Sequence, residues 1–169
     1  MVWALAFVAL GPLSRDEVGL TLRQRAGSVR LAALVTAGLV ALGVAIGAVF
    51  GDGGPLQAET LAYQLTMPGL AEELVSRGVF LALLHRAIPA RWGSAAFWGP
   101  AVITTLAFAF THSPSLHGGR AVFEVLPFLL PLVAGAVLAW LRERTGSLVW
   151  PVIAHNGLNA AIFVAGALV

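Results

Sequence analysis

The sequence contains no cysteine, and all of its basic residues are arginine. Without cysteine the chain can form no disulfide, no thiolate nucleophile and no cysteine-ligated metal site. Charge is also scarce, since only 11% of the 169 residues are charged whereas 59% are hydrophobic. This composition excludes an ordinary soluble domain and is typical of an integral membrane protein.

The arginines give the chain a formal net charge of +2, but they lie scattered at the ends of apolar stretches. Because they form no basic patch, nucleic-acid binding is not predicted. Eight of the ten arginines fall in three predicted loops, 14–30, 86–94 and 142–146. Short loops rich in arginine usually face the cytoplasm, so we predict a multi-pass protein of the cell membrane with these loops inside.

The apolar stretches predict an all-α, polytopic transmembrane helical bundle. The predicted spans are 31–50, 68–88, 95–111, 121–141 and 147–169. We interpret residues 1–66 as a membrane-anchoring segment with one full span, and residues 67–169 as a four-helix core. Gly43 and Gly47 form a small-xxx-small face that is expected to pack against the chain's own bundle.

Three ionisable side chains, Glu72, Glu73 and Arg77, lie in the second predicted span. A charged group at the centre of a bilayer costs at least about 2.5–3.5 kcal/mol, so such residues are usually paired or functional. Glu73 and Arg77 have i, i+4 spacing and can form an ion pair. That pair leaves Glu72 unbalanced, and a structural and a functional role for Glu72 are both open.

Three further polar side chains, His112, His155 and Asn159, fall in the same half of the predicted bundle as the glutamates. His155 and Asn159 share a helical face and offer two convergent donors, which suit a developing oxyanion or an interhelical hydrogen bond equally. His112 by itself is more typical of a helix-bridging hydrogen bond. We expect these groups to line one cavity, and we expect His85 and His117 to be solvated.

Three motifs resemble those of the CPBP intramembrane proteases. They are Glu72-Glu73-Leu-Val-Ser-Arg77, similar to EExxxR, Phe108-Ala-Phe-Thr-His112, similar to FxxxH, and His155-Asn-Gly-Leu-Asn159, similar to HxxxN. This family includes the CAAX prenyl endopeptidases and the Abi-type proteins of bacteriocin processing and self-immunity. The resemblance covers about residues 60–169 and implies a CPBP-like fold that hydrolyses peptide bonds inside the membrane.

The resemblance also implies a role for each matched residue. Glu72 would activate the attacking water, and His112 would help to hold or polarise it. Glu73 and Arg77 would position that water and brace the helix. The two ends of the HxxxN motif would stabilise the tetrahedral oxyanion.

Metal dependence stays open at this point. The set Glu72, His112 and His155 matches the ligands of some catalytic zinc sites, but no HExxH motif is present. A glutamate enzyme without a cofactor is favoured, with zinc as the alternative.

The expected partners are membrane lipid and a peptide or protein substrate, either lipidated or bacteriocin-like. The arginine bias places the glutamates in the non-cytoplasmic half, which favours bacteriocin-type processing over removal of a prenylated tail. A non-catalytic membrane immunity or scaffold protein of the same fold is the main alternative. A proton-coupled transporter would also use intramembrane Glu and His, but the sequence lacks the paired broken helices or inverted repeat expected of one.

Overall fold

The computed structural model describes residues 8–9, 11–88 and 93–169, with the backbone alone at residues 94–97. The helices are α1 (Val29–Phe50), α2 (Ala58–Glu73), α3 (Leu81–Ala87), α4 (Ser94–His112), α5 (Val125–Thr145) and α6 (Val149–Gly166). A π-helical segment, Leu74–Phe80, joins α2 directly to α3. An antiparallel hairpin of β1 (Pro114–His117) and β2 (Arg120–Phe123) joins α4 to α5. The predicted all-α membrane bundle is confirmed.

Three helices, α1, α5 and α6, are long and apolar enough to cross a membrane, judged by length and composition. The predicted span at 68–88 corresponds to the rod formed by α2, the π segment and α3. The predicted span at 95–111 corresponds to α4. Neither α2 nor α4 meets the same criteria within the described part of the chain.

The predicted second span begins at residue 68, but helix α2 already begins at Ala58, so Pro68 lies inside the helix. A proline inside a helix lacks a backbone donor and loosens the helix around it. Here Asn156 of α6 bonds the backbone on both sides of the proline. Its Oδ1 accepts the Gly69 N–H at 2.7 Å, and its Nδ2 donates to the Thr66 carbonyl at 3.1 Å. These bonds support the helix as it passes through Pro68.

Helix α5 begins at Val125 rather than at residue 121, because residues 120–123 pair with β1 in the hairpin. Glu124, just before α5, accepts a hydrogen bond from the Ser115 hydroxyl at 2.6 Å and lies 2.7 Å from Nε2 of His117. The bonds from Ser115 and then from His117 lower the pKa of Glu124. These polar contacts therefore hold the hairpin to Glu124, the residue that precedes α5.

Helix α6 lies at the centre of the bundle, where it packs against α1, α2 and α5. Its approach to α1 is close because the contact positions of α1 are glycines. A Cβ on Gly43 would lie 2.6 Å from the Leu158 carbonyl oxygen, and one on Gly47 would clash with the Ile162 carbonyl. The predicted small-xxx-small packing within the bundle is confirmed.

The arginine-bearing loops meet at one end of the bundle, as an alternating topology requires. Arg86 at the end of α3 forms an ion pair with Glu17 at 2.7 Å, and Arg142 of α5 donates to the Glu17 carbonyl at 2.7 Å. Hydrogen bonds from Ser14, and then from Arg86, lower the pKa of Glu17 to about 2. Arg91, which belongs to the same predicted loop side, lies outside the described residues.

Candidate active site

A fully buried ion pair lies at the junction of α2 and the π segment. Arg77 donates from Nη1 to Oε1 of Glu73 at 2.9 Å, which confirms the predicted i, i+4 pair. Arg77 also donates from Nη2 to the Gly135 carbonyl at 3.1 Å, and its guanidinium lies 4.2 Å from the ring centroid of Phe108. A Cβ on Gly135 would lie 2.7 Å from Nη2 of Arg77, so glycine makes room for the guanidinium. Arg77 is therefore held by α2, α4 and α5 together.

The two histidines of the predicted site are each oriented by a bond at Nδ1. Nδ1 of His155 lies 2.8 Å from Oε1 of Glu73, and Nδ1 of His112 lies 2.8 Å from the carbonyl oxygen of Phe108. Both partner oxygens accept hydrogen bonds only, so each Nδ1 must carry a proton. In a neutral ring the other nitrogen, Nε2, is then an acceptor.

Both Nε2 atoms face Oε2 of Glu72. The distances are 3.8 Å from His112 and 3.9 Å from His155, too long for direct hydrogen bonds. Oε2 of Glu72 is buried and has no hydrogen bond within the described residues. Three acceptors that face one another repel, and a shared proton, a water molecule or a cation between them would relieve that repulsion. The structure thus brings Glu72, His112 and His155 to one point, as the sequence predicted.

These groups open onto a cavity of about 450 Å³. Its apolar wall comes from α1, α4, α5 and α6, and includes Leu42, Ile46, Phe108, Pro131, Val133 and Leu158. Its polar lining consists of Glu72, His112, His155 and Asn159. A mostly apolar pocket with a few convergent polar groups is the usual form of a small-molecule or substrate site.

The two asparagines of the HxxxN stretch have different surroundings. Asn159, the predicted site residue, lines the cavity, and its side chain makes no hydrogen bond within the described residues. Asn156, which the sequence reasoning missed, is buried and joins α6 to α2 through Gly69 and Thr66. A carboxamide beside His155 in an apolar helix was the signal that could have found it, because polar groups inside membrane helices rarely lack a partner.

The remaining histidines lie away from this cavity. His85 is exposed, as predicted, and its Nε2 lies 2.5 Å from Oε1 of Glu143. Glu143 reaches His85 from another helix, a contact that the sequence did not predict. His117 is exposed, as predicted, and pairs with Glu124 in the hairpin region.

Zinc can be tested against the donor atoms of the site. Two imidazole nitrogens and a carboxylate are suitable zinc ligands, and a bond at each Nδ1 is the usual support for a metal-binding histidine. Donors around a tetrahedral zinc lie roughly 3.3 Å apart. The observed separations are 3.8 and 3.9 Å, and no group of three or more His, Asp or Glu side chains in the described part of the chain is placed to hold a metal. The donor chemistry suits zinc and the spacing does not, so zinc stays an untested alternative.

A carboxylate and two imidazoles inside an apolar helical bundle define a candidate intramembrane hydrolase site. The family model described as type II CAAX prenyl endopeptidase Rce1-like matches residues 54–161, and this chain belongs to that family. The match confirms the resemblance to the CPBP intramembrane proteases and implies a membrane-associated protease that acts on a peptide or protein. Comparisons with curated proteins and with solved structures gave no match.

Proposed function

We propose that this chain is a multi-pass protein of the cell membrane that hydrolyses peptide bonds with a water activated by Glu72. The observation that carries the proposal is the convergence of Oε2 of Glu72 with Nε2 of His112 and of His155. A purely structural cluster would not need Glu72, because Arg77 already balances Glu73. The unbalanced carboxylate faces a cavity instead of an opposite charge.

In the proposed reaction, a water lies between Glu72 and the imidazole of His112. Glu72 accepts one proton of the water while the water oxygen forms a bond to the carbonyl carbon of the scissile peptide. The tetrahedral intermediate then collapses, the C–N bond breaks, and Glu72 returns the proton to the leaving amine. The two products are a carboxylic acid, which releases its proton to solvent, and an amine, and Glu72 ends in its starting state.

Two donors would stabilise the oxyanion of the intermediate. Asn159 can donate from its amide without any change of protonation. His155 can donate only when its Nε2 carries a proton. Such a donor is worth on the order of 2.7–4 kcal/mol where one has been removed.

The proposed substrate is a peptide that enters the apolar cavity from the membrane. Two classes of substrate remain in competition. The family points to a lipidated C-terminal tail. The arginine bias points to an exported, bacteriocin-like peptide, because it places the cavity in the half of the membrane away from the cytoplasm.

The test is proteolysis of a reporter peptide library by the detergent-purified chain, read by mass spectrometry. The library includes farnesylated tails, the same tails without lipid, and unmodified apolar peptides. Glu72→Gln should lower the rate by about 10²–10⁴-fold, as expected for loss of a general base. Glu59→Gln is the matched control, since Glu59 is an exposed glutamate in the first turn of the same helix.

Cleavage by Glu72→Gln at the wild-type rate would overturn the proposal. If the wild-type chain cleaves nothing in the library, the non-catalytic scaffold would be favoured. A parallel series with a chelator tests zinc. Full activity in chelator is expected. Loss of activity that added zinc restores would replace the metal-free mechanism with the zinc alternative.

A further inference from the structure

A second cavity, of about 750 Å³, lies at the arginine end of the bundle. It lies between the segment 16–25, the end of α3 and the end of α5, and none of its lining residues lines the candidate active site. Four arginines line it: Arg23, Arg25, Arg86 and Arg142. The proposed proteolysis makes no use of this cavity.

The positive charges of this cavity are not all balanced. Three carboxylates also line it, but two of them already have partners. Glu17 pairs with Arg86 at 2.7 Å, and Glu143 lies 2.5 Å from Nε2 of His85. The third carboxylate, Asp16, lines the cavity together with Arg23, Arg25 and Arg142, which form no ion pair within the described residues. The cavity therefore has an excess of positive charge.

Arg142 is the most informative of these arginines because it is buried. Its side chain donates to the Glu17 carbonyl, which is a neutral acceptor, and only 7% of the residue is exposed. Its Nε–H is buried and makes no hydrogen bond in the described part of the chain. Burial of this guanidinium is costly, and the Glu143 carboxylate attracts it while Arg25 repels it. An anion in the cavity would add to the attraction of Glu143 and offset the repulsion from Arg25.

We propose that this cavity binds a phosphate group, presented by an anionic lipid headgroup or by free phosphate. Guanidinium groups bind phosphate oxygens through paired, charge-assisted hydrogen bonds, which the arginines of this cavity can offer from several directions. The cavity lies at the end of the bundle where the arginine loops meet, and the cytoplasmic leaflet that such loops face is rich in anionic lipid. A phosphate bound there would connect the segment 16–25 to α5 and stabilise that end of the bundle.

The test measures the thermal unfolding of the full chain. In detergent, inorganic phosphate is compared with chloride at equal ionic strength. In nanodiscs, phosphatidylcholine is compared with phosphatidylcholine containing phosphatidylglycerol. Because a ligand that binds only the folded state raises Tm, we expect a saturable rise with a phosphate-bearing probe. A rise in Tm with both probes, or with inorganic phosphate alone, assigns a site for free phosphate. A rise in Tm with phosphatidylglycerol alone assigns a site for a lipid headgroup.

Two variants test whether the cavity itself binds the probe. Arg142→Gln should weaken the apparent affinity by at least about tenfold, as expected for loss of a charge-assisted bond. Arg23→Gln should also weaken it and is safer for folding, since Arg23 is exposed. Arg30→Gln makes the same charge change on an exposed arginine outside the cavity and should leave the affinity unchanged. No rise with either probe, or equal losses in Arg23→Gln and Arg30→Gln, would overturn the proposal.

Discussion

Oε1 of Glu73 lies 2.8 Å from Nδ1 of His155, although 82 positions separate the two residues in the sequence. The same oxygen accepts a hydrogen bond from Arg77 at 2.9 Å. The buried carboxylate therefore connects α2 to α6 and determines which nitrogen of His155 faces Glu72. We therefore expect Glu73 to act on the candidate site through His155 rather than by contact with a substrate.

We predict that His112→Ala and His155→Ala each reduce proteolysis by at least about 10²-fold, as expected for groups that hold a reacting water or its oxyanion. If the groups act as one unit, the double variant should be hardly slower than either single variant. Initial rates on one reporter peptide measure this. His117→Ala is the control, because His117 is exposed in the hairpin. Small, additive losses would indicate separate structural roles.

Arg77→Ala should destabilise the protein as well as inactivate it. The change leaves the buried Glu73 without its counter-charge, and breaking a buried pair typically costs about 3–5 kcal/mol. Tm and yield in detergent measure the effect, with Arg120→Ala in the exposed hairpin as the control. Normal yield and stability of Arg77→Ala would mean that water already solvates the pair.

The two asparagines should separate stability from activity. Asn156→Ala removes both bonds around Pro68 and leaves the Gly69 N–H without its side-chain partner, so a loss of about 1–3 kcal/mol is expected. Asn159→Ala should leave Tm unchanged and lower kcat, because Asn159 lines the cavity without a hydrogen bond in the described residues. Equal effects of the two changes on Tm would contradict this division of roles.

The hydrogen bonds that Glu17 accepts from Ser14 and then from Arg86 should make the stability of the fold depend on acid pH. The pKa of Glu17 is about 2 in the folded chain and about 4.5 without these bonds, so the unfolded chain binds the proton first as pH falls. The stabilisation of the folded chain by ionised Glu17 is therefore complete above a pH of about 4.5 and is lost as pH falls through about 2. Across this pH window, the free energy of unfolding should decline less for Glu17→Gln than for the unchanged protein. A parallel decline in both proteins would contradict the assignment.

The arginine bias and the prenyl-protease family favour different sides of the membrane for the active site. We follow the arginines, whose loops meet at one end of the bundle. An alkaline phosphatase fused after Val169 should then be active, and a fluorescent protein fused after Gly146 should be fluorescent. A silent phosphatase would reverse the orientation and favour cytosolic lipidated tails as substrates.

The class of fold and the central residues could be predicted from the sequence alone. Composition predicted a membrane bundle, and the helical repeat predicted the Glu73–Arg77 pair, because residues four apart on a helix are neighbours whatever surrounds them. The three motifs placed Glu72, His112 and His155 in one group through their resemblance to a family. Each of these inferences depends on local spacing or on a pattern that is visible along the chain.

The orientation of those residues and the contacts that support them depend on how the helices pack, and they became visible in the structure alone. The π segment after Glu73, the bonds of Asn156 across Pro68 and the pairing of His85 with Glu143 have no local signature. The bonds of Asn156 and of His85 join side chains to partners 58–90 positions away. Which polar groups meet across helices depends on how the helices pack, and a one-dimensional pattern of apolar residues does not specify that packing.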